Sequence, residues 1–102
     1  MSSQENEIEP EIKAKIECAR QDTARIRGVE LARVKMQSCS KAVFRNGCLD
    51  AAEEGEMCTE ALAKGYKIVI NVEGGAEIVY HANIRQLRRV EGEHRGKRIP
   101  CN

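Results

Sequence analysis

Small and apolar residues recur at Ile12, Ile16, Ala19, Thr23 and Ile26, a 4-3-4-3 spacing that places them on one narrow side of a helix. Pro10 suits the first turn, where its missing N–H would have no partner, and Glu9 and Glu11 suit the positive end of the helix dipole. Gly28 interrupts the pattern, which then re-phases to Leu31, Val34, Ser38 and Ala42, with Cys39 and Val43 alongside. No Pro or polar turn cluster accompanies that glycine. The pattern therefore predicts one long helix, kinked near Gly28, rather than two helices joined by a tight turn. Asn46-Gly47, both tolerant of left-handed backbone, would stop it.

A second helix is expected from Asp50 to about Lys64, because Asp50 followed by Glu53 resembles a capping box. Its inward face would carry Met57, Cys58, Ala61 and Leu62, and Gly65 would end it. The period then changes to two. Residues 66–72 and 76–81 alternate around Glu73-Gly74-Gly75, which predicts a β-hairpin. A two-residue loop would set Val72 against Glu77 and mix the faces. A three-residue loop pairs Ile70 with Ile78 and Ile68 with Tyr80, and it collects Lys67/His81 and Asn71/Glu77 on the other side.

After the hairpin, Asn83 can cap a short helix with Ile84, Leu87 and Val90 inward and Arg85, Arg88 and Arg89 outward. The fold class that results is α+β: a long N-terminal helix, a second helix, a hairpin, a short C-terminal helix and a basic tail. Residues 1–9 read as a flexible acidic leader, 10–92 as a single domain and 93–102 as a flexible tail.

At 102 residues with three aromatic side chains (Phe44, Tyr66, Tyr80), the chain has room for one modest core. The net charge of +1 conceals segregation: residues 12–46 hold nine Lys or Arg against three acids, while 47–66 hold five acids against one Lys. Such blocks either satisfy each other or present one sign to a partner. The N-terminal residues lack the basic and apolar regions of a signal peptide, and Ile68-Val69-Ile70 is far too short to span a bilayer. Five widely spaced cysteines, an odd number, argue against a complete disulfide framework and for a reducing cytoplasmic setting in which the fold survives reductant.

Candidate chemistry is thin. Cys18, Cys39, Cys48, Cys58 and Cys101 form no C-x-x-C pair, and His81 and His94 lie far apart, so no metal site and no cofactor are expected. Cys39 and Cys58 read as small buried hydrophobes. Cys48, ahead of the second expected helix, is the one thiol placed for a lowered pKa, yet no base or orienting group stands near it in sequence. No catalytic residue is assigned, and a Cys/His enzyme ranks third among the readings. The basic residues Lys13, Arg20 and Arg27 recur every seven positions, and Arg85, Arg88, Arg89, Arg95, Lys97 and Arg98 follow near the C-terminus. Together they could contact phosphates or an acidic partner. Against phosphate reading, almost no aromatic side chain is available for base stacking.

The leading expectation is a non-enzymatic protein-interaction module, a small regulator or inhibitor of a protein partner. It would self-associate as a homodimer through Ile12, Ile16, Ala19, Thr23 and Ile26. A nucleic-acid-binding regulator that uses the basic positions is the alternative.

Overall fold

Helix α1 runs over Pro10–Arg27 and stops at Gly28, whose φ of 67° is left-handed. The Gly28 N–H bonds back to the Ala24 carbonyl, and the Val29 N–H reaches the same oxygen at 3.0 Å. Gly28 is thus a helix terminator, not a kink inside a longer helix, because a residue without Cβ adopts this conformation at little steric cost. The computed structural model describes residues 9–90 and 95–101. Apart from Glu9, the acidic leader expected over 1–9 lies outside them.

A single 3-10 turn at Leu31–Arg33 leads into β1, Val34–Phe44. Strands β2 (Ala63–Val72), β3 (Glu77–Ala82) and β4 (Leu87–Arg89) follow. They form one antiparallel meander in the order β1-β2-β3-β4. The expected arrangement of a long helix, a second helix and a C-terminal helix is therefore overturned: among the described residues one α-helix packs on a four-stranded sheet. Residues expected to continue the first helix are β1. Its pairing with β2 shifts between Met36 and Ser38, a bulge that leaves Gln37 without an opposite residue. The extra residue switches the parity, so Val34 and Met36 before it and Cys39 after it all point toward the helix.

The second expected helix is replaced by an irregular loop over residues 45–62. Leu49 and Asp50 both take φ of 56°, which a right-handed helix cannot accommodate. Asn46 Oδ1 accepts the N–H groups of Cys48 and Asp50, holding the chain in a turn where a capping box had been expected. A Cys48–Cys58 disulfide closes the loop. Asn83 does accept from the N–H groups of Arg85 and Gln86, but the turn it stabilises opens into β4 and not into a helix. The hairpin stands as read: Ile70 faces Ile78, Ile68 faces Tyr80, and Gly74 at φ 73° sits in the loop.

Two faces follow from the alternation. One carries Ile68, Ile70, Ile78 and Tyr80 and packs under Ile12, Ala19 and Thr23 of α1 as the main core. The opposite face carries His81 beneath the 45–62 loop, where Phe44, Cys48, Leu49 and Ala51 are buried and the Phe44 ring lies 4.5 Å from the imidazole. Residues 95–101, expected as a loose tail, dock along the outer edge of β4. The Ile99 N–H reaches the Leu87 carbonyl, Arg89 N–H reaches Lys97, and Cys101 is disulfide-bonded to Cys18 of α1. Two disulfides among the five cysteines replace the expected set of free thiols, and Cys39 alone stays reduced and buried. Among the described residues no helix is long and apolar enough to cross a membrane.

Candidate functional site

Neighbouring residues of a strand point to opposite faces, so the pair Arg88-Arg89 sends one guanidinium into each layer. On the helix face Arg89 grips Asp22: Nε donates to Oδ2 at 3.0 Å, and one terminal nitrogen donates to Oδ1 at 2.8 Å and Oδ2 at 2.9 Å. Tyr80 OH donates to Asp22 Oδ2 at 2.6 Å and lies 2.8 Å from Thr23 Oγ1. All four side chains belong to buried residues. Burial works to raise the Asp22 pKa, but the bonds from Arg89 and Tyr80 more than offset it and hold the carboxylate below its ordinary range. Tyr80 moves the other way, pushed well above a normal phenol by burial and by the adjacent carboxylate. A phenol so placed stays protonated as a donor.

The loop face has a matching clamp. Arg88 meets Glu56 in a two-pronged contact, 2.6 Å on each side, and also donates to the Ala51 and Gly96 carbonyls. The Arg88 bond lowers the Glu56 pKa to about 2. His81 Nδ1 lies 2.7 Å from the Leu49 carbonyl, which can only accept, so this nitrogen carries the proton. Burial lowers the His81 pKa and keeps the ring neutral. Gln86 Nε2 donates to the Gly47 carbonyl at 2.9 Å. Cys48, Glu56 and Cys58 bring their ligand atoms within 4.8 Å of one another, a spacing that could suit a metal. Both sulfurs are nevertheless consumed by the disulfide and the carboxylate by Arg88, so this group offers an ion no open donor set.

Outside these networks the sheet extends beyond the start of α1. There, an open groove of about 680 Å³ lies over the ends of β1 and β2 and the β3–β4 turn. Buried Ile12 and Tyr66 line it from within. Val43 and Ile84, 61% and 57% exposed, give it apolar walls. Lys41, Lys64 and Arg85 supply cationic charge, against Glu9 as the one acidic residue lining it among the described residues. A smaller cleft of about 260 Å³ shares Arg85 and adds Lys15 and Arg98. Apolar walls rimmed by one sign of charge are the composition of a binding surface.

The expected dimer stripe is placed largely inside the chain. Ile12, Ala19 and Thr23 are buried against the sheet and Ile16 is partly buried with them, while Ile26 alone is exposed, at 39%. The basic positions do not share a face. Arg88 and Arg89, expected outward, are buried and paired with acids. Arg20 is tied to Glu17 and to the Val34 and Leu31 carbonyls, bracing the chain that leaves the helix. Lys13, Arg27, Lys97 and Arg98 are exposed, and so is Arg95, which reaches the Asp50 carbonyl at 3.4 Å. Of the nine, Arg85 lines the main groove. Asp22 carried no mark in sequence beyond its charge, whereas Glu56 belongs to the acidic block expected to offset Arg85, Arg88 and Arg89, and it does pair with Arg88.

One helix over one face of a four-stranded antiparallel meander, with a disulfide-closed loop over the other, defines a small α+β domain. Residues 16–89, well over half of the chain, match a domain family of unknown function, DUF8738, and the chain belongs to that family. No curated protein and no solved structure matches it.

Proposed function

We propose that this domain is a non-enzymatic binding module for a protein partner, with the groove over Val43, Ile84, Lys64 and Arg85 as its contact surface. The observation that supports this reading is the exposure there of two large aliphatic side chains amid cations, on the helix side of the sheet near the start of α1. Elsewhere, Asp22, Glu56, Tyr80 and His81, the groups with perturbed acidity suited to catalysis, each have a structural partner. Nucleic-acid recognition, the alternative, loses Arg88 and Arg89 to internal pairing. Self-association through the α1 stripe is no part of the proposal, since the sheet already covers most of it. The two disulfides favour an oxidising compartment over the reducing one first expected.

The test is selection of a displayed random peptide library on the oxidised protein, beside the Val43→Glu, Ile84→Glu double variant. Both positions are exposed, so the variant keeps the fold. Enrichment of binders to the native chain and their loss on the variant is the expected result. Equal recovery on both proteins, or no enrichment, would overturn the proposal.

A further inference from the structure

We infer that β1 accepts an added strand: an extended acidic segment of the partner pairs with its outer edge and drops alternate side chains into the basic groove. This deepens the binding-module reading and rests on it.

The two edges of the sheet differ. Beyond β4 the chain itself supplies a cover, since residues 97–99 bond to Leu87 and Arg89 and a bridge joins Arg88 to Arg98. Beyond β1, among the described residues, no strand follows: β1 is terminal in the sheet and pairs with β2 alone. It is also the longest strand, at 11 residues. Its first residue is already engaged, because the Val34 carbonyl accepts from Arg20, and the bulge breaks the regular spacing before Ser38. The stretch left for a partner is residues 38–44, about the length that a short peptide covers when it adds to a sheet.

That stretch abuts the groove. Lys41 and Val43 are two residues apart, so they share a face, and both line the groove. Lys64 sits directly opposite Val43 in the β1–β2 register. A strand laid along β1 would therefore set one side chain beside Lys41 and the next on that face beside Val43. Lys64 and Arg85 along the groove ask for a carboxylate on that strand, and Val43 asks for an aliphatic group. Charge also selects against a second copy of this chain. The β1 segment and its flanks carry Arg33, Lys35, Lys41 and Arg45 without an acid between Leu31 and Cys48, so self-pairing would juxtapose like charges. The features that deter edge-to-edge association are the same ones that admit an acidic strand.

The probe is an acetylated, amidated heptapeptide, Glu-Thr-Val-Thr-Glu-Thr-Val, which alternates carboxylate and aliphatic groups on one face, against the full oxidised chain. Binding should be detectable at micromolar concentration and should slow hydrogen exchange of β1 amides over 38–44. It should weaken about tenfold in Lys64→Glu, Arg85→Glu, and about as much when alternate peptide nitrogens are methylated. No binding below 1 mM (about −4 kcal/mol), or binding that tolerates methylation at either alternate set and leaves β1 exchange unchanged, would overturn strand addition. Groove-dependent binders from the peptide library would still uphold the wider reading in that case. Protection of β1 that rises with protein concentration in the absence of peptide would overturn the acidic-strand assignment in favour of self-pairing.

Discussion

Asp22→Ala is the sharpest probe of the helix-to-sheet connection. The two carboxylate oxygens accept three contacts from Arg89 and one from Tyr80, besides a 2.7 Å contact from Arg25, whose side chain is 67% exposed. The Arg25 contribution is screened by water and adds little. Removing the carboxylate leaves the Arg89 guanidinium, 8% exposed, as an unpaired charge in the core. Breaking a buried pair in this way costs about 3–5 kcal/mol. A domain of this size has roughly 5–15 kcal/mol in total, so the single change removes about a fifth or more of its stability.

The informative comparison is with Arg89→Met and with the double variant Asp22→Leu, Arg89→Met. Arg89→Met strands a carboxylate, which can escape by taking up a proton, so its cost should shrink as the pH falls toward 4. The double variant leaves no charge behind and should be more stable than Asp22→Ala, because well-packed apolar replacements of a buried pair come out near neutral. Urea unfolding at pH 7 of the oxidised native chain, Asp22→Leu, Arg89→Met and the double variant gives the cycle, with an expected coupling of about 2–3 kcal/mol. If Asp22→Ala costs under about 1 kcal/mol, or if the two sites add within about 0.5 kcal/mol, the ion pair does not hold the layers together and the reasoning fails.

Further expectations follow from the cysteines, the titrating groups and one glycine. In the chain-entropy picture, the Cys48–Cys58 bond, separation 10, contributes about 3 kcal/mol and the Cys18–Cys101 bond, separation 83, about 4–5 kcal/mol. Cys18→Ser, Cys101→Ser should accordingly lower the urea midpoint more than Cys48→Ser, Cys58→Ser, and the reverse order would contradict this account. Stability should decline in acid in two limbs. His81 binds its proton more weakly in the fold than its ordinary 6.5, so the unfolded chain takes up more protons and stability falls as the pH drops below that value. Glu56 and Asp22, held below 4.5 and 3.8, contribute stability that is complete above those values and lost beneath them, for Glu56 down to about 2. His81→Phe should abolish the first limb alone; a wild-type midpoint that is flat from pH 7 to 5 would refute the assignment. Gly65→Ala would set a methyl 2.4 Å from the Ala82 carbonyl oxygen and should cost about 1–3 kcal/mol by forcing β2 from β3, measured by thermal unfolding.

What could be read from the sequence followed the strength of local periodicity. The hairpin register was legible because only one loop length keeps Ile68, Ile70, Ile78 and Tyr80 on one side. Strand β1 was not, and the bulge is the reason. By inserting Gln37 it moves the inward residues from Val34 and Met36 to Cys39, so the alternation of a strand is lost and Leu31, Val34, Ser38 and Ala42 imitate the threes and fours of a helix. The 45–62 loop misled through Asp50 and Glu53, which resemble a cap only if the chain between them is helical. The bonds that fix this loop run to Gln86 of the β3–β4 turn and to Arg88 of β4, beyond the range of any local pattern. Cys18 and Cys101 pair across 83 residues, a separation at which cysteine spacing carries no information. The candidate groove shared this fate. It joins Ile12, Val43, Lys64 and Ile84 from four parts of the chain.

The distribution of bracing argues that the two sides of this sheet do different work. Both buried arginines leave β4, one disulfide pins the C-terminal segment along its edge, and the other closes the loop that Arg88 and Glu56 clamp down. Each constraint acts on the β3–β4 half or on what covers it. Across the sheet, β1 is secured by its ladder to β2 and by Arg20 at its first residue. A chain of 102 residues has few aromatic side chains with which to stabilise a fold by burial alone. Covalent and ionic ties on one half therefore supplement a modest core. On the binding-module proposal they hold the fold that presents exposed Val43, Ile84, Lys64 and Arg85 at the groove.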